Sequence, residues 1–210
     1  MREIRIKSIS ILVSALAVGL FLAAAPHFIR MTILSENRVA YDQPIPGIAH
    51  GYAISQQFVP QYDHVEGIEI YINTLNCDVS QGSLRVNILD AGRVCVYEGH
   101  IELQTLPAYG MTEIAQEIQL QAGSTYFLEM EAVDTVDAGP AVSFYPTSTA
   151  ACTEEAGMTL AYGGLSLEDS VLRVAFRYSV PPAVGDKIVY CLFLIFVCCF
   201  LVEKGSRVSL

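Results

Sequence analysis

Carboxylates are the most numerous side chains here that could do chemistry, yet they form no catalytic pattern. Glu129 and Glu131 alternate along one predicted strand, about 7 Å apart at the rise of a β-strand. That separation suits the acid pair of a glycosidase, but such enzymes place the two acids across a cleft in contrasting environments. Two glutamates on a wet strand face more commonly keep a strand edge soluble. With no GxSxG motif and no cysteine–histidine pair, we expect a protein that is not an enzyme.

The cysteines predict at most one disulfide. Three of them lie in the middle of the chain, at Cys77, Cys95 and Cys152, and three more lie near its end. Cys77 and Cys152 fall in loop-like stretches and are the predicted pair, whereas Cys95 sits within a strand. The sequence leaves open whether the pair is oxidised. No CxxC pair or histidine at metal-ligand spacing is present, so zinc is not expected.

Three aromatic residues alternate outward on predicted strands while their neighbours point inward: Tyr71, Tyr97 and Phe127. The apolar face of a sugar ring stacks on an aromatic ring, so an outward platform of this kind predicts carbohydrate binding. These three residues are the predicted ligand site. Cross-strand aromatics also stabilise a sheet without any ligand, and this alternative stays open.

Short alternating runs are the elements that must position these side chains. Residues 82–99 form a hairpin around Ala91-Gly92, with the inward side predicted to be Leu84, Val86, Ile88, Val94 and Val96. Eight or nine such runs follow one another at spacings of 8–15 residues. This pattern is typical of an all-β sandwich of antiparallel strands with one dry and one wet face.

The middle of the chain is strongly acidic. Residues 31–180 contain 19 aspartates and glutamates, five arginines and no lysine, for a net charge of −14. Nucleic acid is therefore not an expected partner, because its phosphates require basic side chains.

Two apolar runs predict transmembrane helices. Residues 9–29 carry no formal charge and match the bilayer core at about 1.5 Å per residue. Arg2, Arg5 and Lys7 precede this run, a pattern shared by cleaved signal peptides and signal anchors. Pro26 after the small residues favours an uncleaved anchor, and the cleaved alternative stays open.

The second apolar run, at 188–202, is apolar on all sides, which favours a span, placed at 188–203, over a buried helix. Lys204 and Arg207 follow it. Basic residues outside both runs predict cytoplasmic termini in the cell membrane, with residues 31–180 extracytoplasmic. The predicted order is cytoplasmic tail, first span, linker, β-sandwich ectodomain, linker, second span and cytoplasmic tail, at 1–8, 9–29, 30–47, 48–180, 181–187, 188–203 and 204–210.

A family resemblance rests on the order of four segments: Gln57-Phe58, YDHVEGIEIYI, GSLRVNILDAG and LQAGSTYFLEME. In this order they resemble the jelly-roll ectodomains of bacterial envelope membrane proteins, over roughly residues 50–145. The resemblance implies a sandwich similar to carbohydrate-binding modules that stands beside polysaccharide or glycosyltransferase machinery. It also implies a structural Ca²⁺ ion in a loop, as an alternative to no cofactor.

We expect a non-enzymatic, membrane-tethered recognition or accessory module of the cell envelope, with carbohydrate as its candidate ligand. The alternative is a structural subunit of a membrane complex for polysaccharide synthesis or export, with no ligand of its own. Ala15, Gly19 and Ala23 stand four apart in the first span. Small residues let helices approach closely in lipid, so this stripe favours a membrane-protein partner and the alternative function.

Overall fold

The computed structural model describes residues 13–21, 30–36, 43–45, 47–49, 51–146, 159–167 and 170–208. The chain divides into two compact units. One unit is Thr32–Ser179, and the other consists of Met1–Met31 and Val180–Leu210. The first unit holds the β-structure and the candidate site.

Thirteen strands are present in the described residues. In chain order they are β1 (Met31–Glu36), β2 (Gln43–Ile45), β3 (Ile54–Phe58), β4 (His64–Asn73), β5 (Ser83–Asp90), β6 (Cys95–Glu102), β7 (Tyr109–Gln119), β8 (Tyr126–Val133), β9 (Ala141–Pro146), β10 (Leu160–Tyr162), β11 (Leu165–Leu167), β12 (Ser170–Leu172) and β13 (Val174–Val180). A single 3-10 turn, Leu103–Thr105, lies between β6 and β7.

The strands form two sheets. The seven-stranded sheet has the order β1-β13-β4-β9-β12, with β2 added on β9 and β7 added on β4. The six-stranded sheet has the order β11-β10-β3-β8-β5-β6. The central pairs run antiparallel, including β4 with β7 and with β13, and β8 with β3 and with β5. The predicted all-β sandwich of two antiparallel sheets is therefore confirmed.

The core lies between the sheets and follows the predicted alternation. Phe58 of β3 and Phe176 of β13 pack across the interface with ring centroids 5.2 Å apart. Gln56 is buried among apolar residues, and its Oε1 accepts a hydrogen bond of 2.9 Å from the Leu172 backbone N–H. A buried amide is tolerated there because its polar atoms find backbone partners.

More strands exist than the eight or nine predicted. Two of the extra strands, β1 and β2, fall within the segment 30–47 that was predicted to be a linker. Both join the seven-stranded sheet, β1 beside β13 and β2 beside β9. Their partners lie about 140 residues away for β1 and about 100 residues away for β2, and local alternation does not reveal such pairings.

The inward parity predicted for the second half of the 82–99 hairpin is wrong. Tyr97 stands opposite Ile88, whose side chain is fully buried, so Tyr97 points to the inner side of the six-stranded sheet. The register shifts between Ile88 and Leu89, because Leu89 faces Cys95 and leaves Val96 as an extra residue. Because of this bulge, residues from Tyr97 onward point to the side opposite to the one that simple alternation from Val94 predicts. Val96 is accordingly exposed rather than buried.

The second unit contains helical residues 13–21, named α1, and helix α2 (Val184–Val208). Within this unit the rings of Phe21 and Tyr190 lie 5.9 Å apart. Among the described residues, no helix is both long and apolar enough to cross a membrane, so the structure does not support the predicted spans. Most of the first predicted span, apart from residues 13–21, lies outside the described residues.

Candidate functional site

The outer face of the seven-stranded sheet places two tyrosines side by side. Ile70 and Ile72 of β4 are buried, so Tyr71 between them points outward. Met111 of β7 stands opposite Tyr71, and Tyr109 stands opposite Asn73. Tyr71 and Tyr109 are thus diagonal neighbours, a relation in which the residues lie about 7–8 Å apart. We call this surface the tyrosine face; it consists of Glu69, Tyr71, Asn73, Tyr109, Met111, Glu113, Arg173 and Arg177.

Arg177 connects three strands of the tyrosine face. From β13 its guanidinium Nη1 lies 3.0 Å from Glu69 Oε1 on β4, and Nη2 lies 2.9 Å from Glu113 Oε1 on β7. The side chain crosses β4 above Gly67, where a β-carbon would overlap the guanidinium. A glycine at position 67 is therefore what lets one cation reach both carboxylates.

The two tyrosines differ in how they are covered. The Arg173 guanidinium carbon lies 4.6 Å from the centroid of the Tyr71 ring, a cation–π distance. The backbone of Arg173 also accepts a hydrogen bond of 3.1 Å from the Tyr71 N–H, which fixes the strand beneath the ring. Tyr109 is 64% exposed and offers its ring to solvent. The tyrosine face therefore presents an open aromatic ring beside fixed charged groups.

The outer face of the six-stranded sheet carries a similar set of residues in a closed arrangement. Arg93 lies with its guanidinium carbon 3.7 Å from the centroid of the Phe127 ring, and its Nη1 lies 2.7 Å from Glu129 Oε1. Arg85 of β5 forms an ion pair with Glu131 of β8. The ring of Phe127 is therefore covered by its own chain. We call this surface the phenylalanine face; it consists of Arg85, Asn87, Arg93, Phe127, Glu129 and Glu131.

The structure does not bring the three predicted ligand residues together. Tyr71 belongs to the tyrosine face, Phe127 belongs to the phenylalanine face of the other sheet, and Tyr97 points inward. Tyr97 instead lines a groove of about 270 Å³ between β6 and β7. Tyr71 and Phe127 do point outward, as predicted. Their strands, β4 and β8, belong to different sheets, so the two rings lie on different outer faces.

Tyr109 is the site residue that the sequence analysis missed. Alternation in the segment MTEIAQEIQL, residues 111–120, predicts a strand that begins at Met111, two residues too late, because Gly110 interrupts the apolar pattern. Gly110 has φ of 139°, and β7 continues through it to Tyr109. The sequence does contain a signal for Tyr109. If the strand is extended by two residues, Tyr109, Met111 and Glu113 alternate on the same side of it, and in the structure all three point outward.

Cys77 lines a cavity of about 340 Å³ at one end of the sandwich, together with Asn73, Asn76 and Ala138. Burial raises the pKa of its thiol, and the negative charges of Asp78 and Asp137 raise that pKa further. In the structure Cys77 is a free thiol. Its predicted partner Cys152 lies outside the described residues, so the disulfide stays a prediction.

The predicted helix-packing stripe is only partly described. Ala15 and Gly19 are exposed on α1, and a β-carbon added at Gly19 would meet no atom within 4 Å. Ala23 lies outside the described residues. On α1 the half-covered residues are instead Ser14, Ala17, Val18 and Phe21, which occupy the opposite side of the helix.

Metal ligands are not grouped in the part of the chain that the structure describes. No cluster there combines three or more histidine, cysteine, aspartate or glutamate side chains in a way that could hold an ion. The structural Ca²⁺ implied by the resemblance stays a prediction.

No family model matches the sequence, and no curated protein matches it. Among solved structures, the chain is similar to a chain in the structure of infectious bursal disease virus, Gt strain, at 13% identity and a TM-score of 0.31. That match covers 75% of this chain and 42% of the viral chain. A TM-score of this size does not define a shared fold.

Proposed function

We propose that this chain is a non-enzymatic recognition module of the cell envelope and that its tyrosine face binds carbohydrate. The observation that carries the proposal is the exposed ring of Tyr109 beside Tyr71, with charged groups held in place around them. Sugar rings have an apolar face that stacks on an aromatic ring and hydroxyls that bond to charged or amide groups. The tyrosine face supplies both, the polar groups being Glu69, Asn73, Glu113 and Arg177.

The charge of the ectodomain favours a neutral glycan. Residues 31–180 have a net charge of −14, and the two arginines of the tyrosine face are already engaged with Tyr71, Glu69 and Glu113. A polyanionic polymer would meet like charge over most of this surface. Neutral hexose or N-acetylhexosamine chains are therefore the ligands of choice.

Tethering at the cell membrane is the second part of the proposal. It rests on the basic residues outside both apolar runs and on the apolar surface of α2. Ile188, Val189, Leu192, Phe193 and Phe196 of this helix are all more than half exposed. A helix surface of this composition is stable only when an apolar medium or a partner covers it.

The alternative function, a structural subunit of a membrane complex without its own ligand, is favoured by the exposed positions of Ala15 and Gly19 on α1. These small residues would accept a partner helix. A subunit of this kind would not respond to changes on the tyrosine face.

The test uses the full chain in detergent micelles, titrated with neutral oligosaccharides and with acidic ones. We expect saturable binding of a neutral glycan, weakened about tenfold in Tyr109→Ala, since one ring–sugar contact contributes about 1.4 kcal/mol. Phe127→Ala is the matched control on the other sheet and should bind as the parent does. Circular dichroism establishes that both variants are folded. Absence of binding by the folded chain, or equal losses in both variants, would overturn the proposal.

A further inference from the structure

We infer that the groove between β6 and β7 is a second sugar subsite, so that the ligand is a linear oligosaccharide spanning the tyrosine face and the groove. This inference rests on the proposed function. It adds a site that the tyrosine face does not include and a minimum length for the ligand.

The groove lies between two strand edges. Within the described residues the six-stranded sheet ends at β6, and β7 pairs with β4 alone. The edges of β6 and β7 border a cavity of about 270 Å³, lined by Tyr97, Gly99, His100, Ile101 and residues 113–116. Strand edges carry backbone donors and acceptors that need partners, and sugar hydroxyls can provide both kinds.

Tyr97 gives this groove an aromatic surface. Because of the bulge at Val96, its side chain lies on the inner side of β6, where it reaches the groove. The ring extends along the strand over Gly99, where a β-carbon would lie 2.8 Å from the Tyr97 hydroxyl oxygen. The Tyr-x-Gly order therefore leaves room for the aromatic ring along the strand beside the groove, where a sugar ring can stack on it.

Glu113 joins the groove to the tyrosine face. Its Oε1 accepts a hydrogen bond from Arg177 on that face, and the same residue lines the groove. Tyr109 lies four residues earlier on β7 and on the same outward side as Glu113. A chain of sugars that stacks on Tyr109 and follows β7 would therefore pass Glu113 before entering the groove.

The volume and the lining define the ligand class. Pockets for drug-sized ligands begin at about 300 Å³, so a groove slightly below that size has room for a single sugar ring. Its lining includes one carboxylate, one imidazole and one amide side chain, from Glu113, His100 and Gln116. Neither lysine nor arginine belongs to this lining, which again favours a neutral glycan.

The experiment measures affinity against ligand length. The full chain in detergent micelles is titrated with chito-oligosaccharides and cello-oligosaccharides of one to six units. We expect the hexamer to bind at least tenfold more tightly than the dimer. In Tyr97→Ala this gain should disappear while the dimer binds as before, whereas Tyr109→Ala should weaken every length.

A second variant protects the test against a folding defect at position 97. Gly99→Ala keeps Tyr97 but displaces its ring, so it should also abolish the gain with length. Tyr97→Phe keeps the ring and should retain most of the gain. If Tyr97→Ala and Gly99→Ala both keep the full gain, the groove is not a subsite and the proposed function still stands. If neither oligosaccharide series binds, the proposed function fails and the inference fails with it.

Discussion

The two outer faces of the sandwich use the same kinds of residue but connect them differently. On the tyrosine face, Arg177 holds two glutamates from two other strands, and the ring of Tyr109 stays open. On the phenylalanine face each arginine has its own glutamate, and Arg93 also covers the ring of Phe127. An outward aromatic ring is covered where an arginine stacks on it, as at Phe127 and Tyr71, whereas the ring of Tyr109 on the same sheet as Tyr71 stays exposed to a ligand.

The arginine that holds the charges on the tyrosine face is also more buried than its counterpart on the phenylalanine face. The side chain of Arg177 is 31% exposed, whereas that of Arg93, which lies in the β5–β6 turn, is 53% exposed. Arg93 has φ of 62°, and its backbone N–H donates to the Asp90 carbonyl at 2.9 Å. The cation of the phenylalanine face thus depends on a tight turn at the sheet edge, whereas Arg177 belongs to a strand inside the seven-stranded sheet.

The largest expected effect comes from removing Arg177. Arg177→Met leaves Glu69 and Glu113 opposite each other without a cation, which should lower the free energy of unfolding by about 2–3 kcal/mol. This value is below the cost of breaking a fully buried pair because the groups are about one-third exposed. Urea denaturation followed by circular dichroism provides the measurement.

Arg93→Met is the matched control on the phenylalanine face. Its pair with Glu129 is more exposed, so its removal should cost less than about 1 kcal/mol. Equal losses in the two variants would mean that the two faces do not differ in the way their charges are held.

A smaller effect is expected at Gly67. Gly67→Ala places a β-carbon where the Arg177 guanidinium lies, and displacing that group should cost about 1 kcal/mol. In the Arg177→Met background the same change should become neutral or stabilising, since alanine is preferred to glycine within a strand. A double-mutant cycle in urea measures this coupling. Additive effects of the two substitutions would show that Arg177 does not depend on the glycine.

Much of this arrangement could be predicted from local alternation, and the rest depends on long-range pairing. Ile70, Ile72, Leu128 and Met130 are buried as expected, and Glu129 and Glu131 point outward. Alternation does not specify which sheet a strand joins. Tyr71 and Phe127 therefore looked like one platform, although their strands lie in different sheets.

Two local features of the site also escaped the sequence analysis for physical reasons. The bulge at Val96 changes the face of Tyr97, and its position is determined by the turn around Asp90 and Arg93 rather than by the apolar pattern. The start of β7 was obscured by Gly110, a residue that usually ends a strand. The reach of Arg177 across Gly67 to Glu113 requires three strands to be in register, which the sequence pattern does not specify.

The smallest expected effect concerns salt. Exposed ion pairs are screened at high ionic strength. In 1 M NaCl the Arg93→Met substitution should therefore lower the free energy of unfolding by at most about 0.3 kcal/mol. The cost of Arg177→Met should be largely retained, because the partly buried carboxylates are screened less. Urea denaturation at low and high salt compares the two variants. If the destabilisation by Arg177→Met also disappears in 1 M NaCl, the charges of the two faces are equally screened and the proposed difference between the faces is wrong.

The position of β13 has a consequence for the order of folding. This strand is the last of the sandwich in the chain, yet it lies between β1 and β4 inside the seven-stranded sheet. During synthesis, the edge of β4 that pairs with β13 therefore stays without its partner until residues 174–180 emerge. Because contacts between distant parts of a chain form slowly, we expect this sandwich to fold slowly and its incomplete chain to be prone to aggregation.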